Sequence, residues 1–192
     1  MARPPTDARD RLLAAAARLF YAQGIAATGI DEVLREAGVA KMTLYHHFGS
    51  KEGLALAFLE HRHTAWMARF HGALATAAPG LPGLADALEP WFQDGDFRGC
   101  AFLNTVCEGL SAPPLLTAAR RHKEDLLALI RTRCPTGAES TLAEEALLVL
   151  DGAILRRQMT GDPGVLAHAR RLLERLESSV SRRGGKPARL GG

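Results

Sequence analysis

Gly38 stands between two short apolar patterns and leaves no room for a loop. Ile30, Val33, Leu34 and Ala37 recur at helical spacing before it, and Val39, Leu44 and Phe48 recur after it. A glycine directly after a helix adopts the left-handed conformation at little cost, so the chain reverses there and the second helix leaves at a steep angle. A helix-turn-helix is predicted over residues 28–52, with its second helix standing proud of the body.

The outward residues of that second helix carry the chemistry. Lys41, Thr43, Tyr45, His46 and His47 are hydrogen-bond donors crowded onto one and a half turns. Phosphate oxygens and base edges are recognised by such groups. The next helix opens with Ser50, Lys51 and Glu52, a serine N-cap whose free amides and adjacent lysine suit a phosphate. Thr28 is expected to act likewise at the start of the first helix of the pair. A helical hairpin that serves only protein contacts would show the same apolar pattern, so the DNA reading rests on these polar groups coinciding.

Composition sets the fold class. The 192 residues suffice for one mid-sized domain or two small ones. Aromatics are only 6% while alanine and leucine abound, and no Val/Ile/Thr alternation appears, which predicts an all-α chain. No apolar run reaches membrane-spanning length, and Arg9, Asp10, Arg11 and Arg18 bracket LLAAAARLF too closely for a signal peptide. A cytoplasmic protein with no membrane partner is expected.

The pI of about 9.0 says little about DNA. Arg182, Arg183, Lys186 and Arg189 contribute +4 with no acid among them, while the whole chain carries +3, so the remainder stands at −1. Residues 1–53 hold seven Lys or Arg against six Asp or Glu. Positive potential there must come from placement.

Nine helices are expected: 7–23, stopped by Gly24; two in the helix-turn-helix; 50–77, with Leu54, Phe58, Trp66, Phe70 and Leu74 inward; 84–93; 101–110; 113–133; 141–159; and 165–180. Three form an N-terminal head and the rest a larger C-terminal helical bundle. Residues 1–53 are expected to be the DNA-binding domain, 54–181 a ligand-binding and dimerisation domain, and 182–192 a disordered basic tail. The last two helices are amphipathic and joined by the short TGDPG turn. They suit either a dimer interface or closure of the chain's own core. The twofold geometry of such DNA readers favours a homodimer.

The three-helix start, the TLYHHFGSKE run and the helical body together resemble the tetracycline-repressor (TetR) family over residues 9–60. Thr28, Ala37, Gly38, Val39, Lys41, Thr43, Leu44, Tyr45, Phe48, Ser50, Lys51 and Glu52 stand in register with the family pattern. FRGCAFLN at 97–104 is similar to a segment in one branch of the family, and LDGAILRRQMTGDP is similar to its dimerising helix. The resemblance implies a ligand-responsive regulator, most often a repressor, that binds a palindromic double-stranded operator and is released by a small-molecule effector. It implies phosphate contacts from Thr28, Tyr45, His46 and Lys51, with Lys41, Met42, Thr43 and His47 nearer the bases. Three residues depart from the common pattern: Leu34 where alanine is frequent, Ala40 where a serine cap is, and Met42 where a small residue is. Met42 either meets a thymine methyl group or is a partly buried spacer.

The same resemblance implies a cavity in the body, for which Trp66, Phe70, Trp91, Phe92, Leu103, Asn104, Cys107 and Glu108 are candidate lining residues. Asn104 and Glu108, one turn apart on an apolar helix, are the expected polar anchors. Three cysteines argue against a disulfide framework. Cys100, at a helix start beside Arg98, is either a reactive sensor of oxidants or electrophiles or a buried structural cysteine. His61 and His63, and adjacent His46 and His47, lack ligand spacing on a helix, so solvated histidines and no metal are expected. No cofactor is expected. A helical enzyme or carrier is the competing class, but no nucleophile, base and orienting group form a recognisable motif, and no phosphate loop appears.

Overall fold

The computed structural model describes residues 7–109 and 112–184. Among them the chain is all-α, with nine helices: α1 (Ala8–Gln23), α2 (Ile30–Ala37), α3 (Lys41–Phe48), α4 (Lys51–Leu74), α5 (Pro82–Phe92), α6 (Ala101–Cys107), α7 (Pro113–Arg131), α8 (Glu139–Thr160) and α9 (Val165–Gly184). The expected boundaries are met closely. Leu110 and Ser111 lie outside the described residues, as does the basic tail from residue 185 onward. Helix α9 itself continues through residues 182–184, which were expected to be disordered.

Cα packing divides the chain into two compact units, Met1–Met67 with Cys100–Lys123 and Ala68–Gly99 with Glu124–Gly192. In the first, α1 packs on α2 and α3. Asp7 caps α1 by accepting from the Arg9 amide, and Gly24 ends it with φ of +93°. Leu12, Ala16, Leu19, Phe20, Val33, Leu44, Leu54 and Phe58 are buried, and Phe20 meets Phe58 edge-on at 5.7 Å between ring centroids. Arg18 pairs with Glu36, joining α1 to α2.

In the second unit, α9 packs on both α5 and α8. Leu84, Leu88, Trp91 and Phe92 of α5 are buried, as are Leu142, Ala146, Leu150, Ala153 and Ile154 of α8 and Ala169 and Leu173 of α9. Arg170 pairs with Asp86, and the Leu81 amide donates to Glu177 at 3.2 Å. This apolar stripe of α8 therefore faces the unit's own core.

Candidate nucleic-acid interface

The turn between α2 and α3 follows from Gly38. It has φ of +64° and ψ of +42°, the left-handed conformation, and its amide donates to the Leu34 carbonyl along with that of Val39. An L side chain there would be strained, so glycine is what lets eight-residue α2 stop and eight-residue α3 begin shortly after. Leu44 is fully buried and pins α3 to the unit. Ala40 precedes α3 with no side-chain cap, as expected from the missing serine.

Around that pin the outward face of α3 is arranged. Lys41, Met42, Tyr45 and His46 are exposed, while Thr43 and His47 are half-buried. Met42 is 76% exposed, so it is an open apolar tip and not a buried spacer. His46 and His47 meet edge-on at 5.0 Å, and the Arg9 guanidinium lies 5.4 Å from the centre of the Phe48 ring. Ser50 caps α4 as expected, its hydroxyl accepting from the Gly53 amide at 3.0 Å.

Thr28 is the exception in this set. Gly29, not Thr28, is the N-cap residue of α2, and no side chain caps that helix. The Thr28 side chain turns inward, is 0% exposed, and donates its hydroxyl to the Gly24 carbonyl at 2.6 Å. A buried hydroxyl committed to the backbone fastens the α1–α2 turn and does not present itself to a phosphate. Lys51 is half-buried and donates to the Ala26 carbonyl in the same turn at 3.3 Å.

The first unit also contains a cleft of about 560 Å³ between α4, α6 and α7. Leu56, Leu59, Phe102, Pro113, Pro114 and Ala118 supply apolar wall; Glu60, His63, Thr64, Thr117 and Arg121 supply polar atoms. None of the eight residues expected to line a cavity belongs to this wall. Trp66, Phe70, Trp91 and Phe92 are buried in packing, and Trp91 and Phe92 stand 5.0 and 5.1 Å from Phe97. Leu103 and Asn104 are half-buried and Cys107 is exposed. Glu108, expected as a ligand anchor, accepts a hydrogen bond from the Ala26 amide at 2.6 Å. Aromatics on the strongest apolar stripes fill cores; the cleft lies beside those stripes.

His122 carries no mark in the sequence that sets it apart from a surface histidine. It is buried, lies 3.1 Å from His63 between Nδ1 atoms, and receives the edge of Trp66 at 5.3 Å. Burial, reinforced by Lys123 and His63, lowers its pKa to about 3, so the His122 ring is held neutral. His63 is half-buried and paired, correcting the expectation of a solvated side chain. For His63 a signal was present in the spacing: Leu59, His63 and Trp66 repeat at helical intervals on α4.

Cys100 precedes α6 as its N-cap residue and is 6% exposed. That burial matches the structural alternative for this thiol and leaves little access for an oxidant. No group of three or more His, Cys, Asp or Glu side chains suited to a metal occurs among the described residues. Among them, no helix is long and apolar enough to cross a membrane.

A three-helix unit that pins a short exposed helix beside a left-handed glycine defines a helix-turn-helix DNA-binding protein. The model of the tetR family of bacterial regulatory proteins matches residues 12–58. A TetR-family transcriptional regulator from Streptomyces coelicolor is 32% identical, with TM-score 0.80, over 91% of this chain and 96% of that one. The regulator BetI of Rhizobium meliloti is 28% identical over 162 residues, 81% of this chain and 80% of BetI. The multidrug binding protein EbrR, solved with malachite green, is 26% identical with TM-score 0.72, over 90% of this chain and 99% of EbrR. The chain belongs to the TetR family of transcriptional regulators.

Proposed function

We propose that this regulator represses transcription as a homodimer on a palindromic operator and leaves it when a small molecule fills the body. The observation that carries the reading is α3 itself: Lys41, Met42, Tyr45 and His46 are exposed around one buried leucine. Tyr45, His46 and Lys51 serve phosphates, while Lys41, Met42, Thr43 and His47 lie nearer base edges. In functional terms residues 1–53 read DNA and residues 54–181 hold the ligand and dimer surfaces. It acts in the cytoplasm, where a bacterial chromosome is accessible.

The second copy docks on α8 and α9. Leu148, Leu155 and Met159 are 72%, 44% and 75% exposed at intervals of seven and four residues on one face of α8, and Leu172 on α9 is 46% exposed. A soluble chain rarely leaves such a stripe to water, and pairing two α8–α9 hairpins would bury it as a four-helix bundle. The groove between these helices, about 540 Å³, includes Leu148, Gly152, Val165 and Leu172.

The effector site is the cleft walled by Leu56, Leu59 and Phe102, whose mainly apolar lining suits an organic molecule. EbrR's complex with malachite green supports that kind of occupant. An effector can release DNA only by binding the released conformation better, and a tenfold effect needs about 1.4 kcal/mol of difference. Selection of bound duplexes from a random library tests the proposal. An inverted repeat retained over random DNA at fixed salt is expected; recovery of no palindrome overturns it.

A further inference from the structure

Ala26 occupies the turn between α1 and α2, and both its backbone groups are held by side chains distant in sequence. Its amide donates to Glu108 Oε2 at 2.6 Å, and its carbonyl accepts from Lys51 Nζ at 3.3 Å. Gly24, in the same turn, lies so close to Glu108 that a Cβ added there would stand 2.8 Å from Oε1. Its φ of +93° independently favours glycine. Thr28 fastens the other end of the turn to the Gly24 carbonyl at 2.6 Å. The turn is thus closed from within by Thr28 and held from outside by one carboxylate and one ammonium.

We infer that Glu108 is a positioning residue for DNA binding: its carboxylate fixes the backbone at Ala26, which in turn fixes the Lys51 ammonium at the start of α4. Glu108 touches no DNA in this role. It rests on the reading of Lys51 as a phosphate contact and adds to that reading a residue from the far end of α6. The constraint passes through Ala26 because each peptide group is a rigid plane. Its N–H belongs to the plane shared with Ile25 and its C=O to the plane shared with Ala27, so holding both fixes the two bonds flanking the Ala26 Cα. Releasing the amide lets the turn rotate and frees the lysine to wander among rotamers, an entropic cost then met on binding DNA. Phe102 of the same helix walls the cleft, so α6 carries a cleft residue and ends at the Glu108 brace.

The test uses the full chain and the duplex selected by wild-type protein. Glu108→Ala removes the acceptor, Glu108→Gln keeps an acceptor without charge, and Glu108→Asp keeps the charge with a shorter reach. Glu108→Ala and Glu108→Asp are expected to weaken operator binding about tenfold, with Glu108→Gln close to wild type. The slope of log Kd against log salt should fall by about one for Glu108→Ala, as for Lys51→Ala, because one phosphate contact is lost. In the Lys51→Ala background, Glu108→Ala should cost little more, which a contribution to stability alone would not produce. Amide exchange at Ala26, read without DNA, should accelerate in Glu108→Ala and stay slow in Glu108→Gln. Wild-type affinity and slope in all three variants, or equal losses with and without Lys51, overturn the inference. Wild-type protein that selects no operator overturns the DNA reading beneath it.

Discussion

The imidazole of His122 lies flat on the ring of Phe102, with centroids 3.9 Å apart and planes 9° from parallel. Stacking, burial and the bond to His63 all suit a neutral ring. Because the folded pKa, about 3, lies below the ordinary 6.5, the unfolded chain takes up this proton first as pH falls. Stability is therefore fully present above pH ~6.5 and declines by about 1.4 kcal/mol per pH unit until pH ~3. Urea unfolding at pH 7 and pH 5 should show a loss of about 2 kcal/mol from this group in wild type that His122→Gln does not share.

Gly38→Ala should destabilise the protein by about 1–2 kcal/mol through the backbone alone. A Cβ there would have no heavy atom nearer than 3.8 Å, so steric crowding does not contribute. Gly29→Ala is the control, since that residue is extended at φ of −78° and its Cβ would also meet open space. Denaturant midpoints of the two variants should separate accordingly.

On α3, affinity and specificity should divide between neighbouring positions. Tyr45→Ala is expected to weaken every duplex about equally, whereas Met42→Ala and Thr43→Ala should change which bases are preferred at one position, by about 1–3 kcal/mol at most. Repeating the duplex selection with each variant checks this. An unchanged consensus for both Met42 and Thr43 variants would remove them from the reading surface.

If two copies pair through α8 and α9 as proposed, Leu148→Glu should leave a folded monomer, because this side chain is 72% exposed. Sedimentation velocity gives the mass, and the denaturation midpoint controls for folding. Operator affinity should fall with the dimer, since one helix-turn-helix grips few base pairs.

What the sequence revealed and what it concealed have different physical origins. Helix ends were legible because glycine and proline punctuate them: Gly24, Gly38 and Gly161 each follow a helix and Pro113 opens one, whereas α5 begins at Pro82, two residues before the expected start. The helix-turn-helix was legible because apolar residues at helical spacing flank Gly38. Thr28 misled because a cap residue and a residue one place before the cap look alike in sequence, and only backbone geometry separates Gly29 from it. Glu108 misled because its partner is a backbone amide 82 residues away, which leaves no side-chain signature. On α8 the buried stripe through Leu150 and the exposed one through Leu148 and Leu155 are hard to separate in sequence, because two apolar faces on one helix blur each other's period.

Within the eight residues of α3, Leu44 alone is buried. Since that single side chain secures the helix, Lys41, Met42, Thr43, His46 and His47 can be exchanged with little disturbance to the core. Under the proposed function, such a division makes operator preference evolvable: a duplicated copy could drift to a new DNA sequence by substitutions that the fold scarcely registers, while the proposed small-molecule response is inherited unchanged.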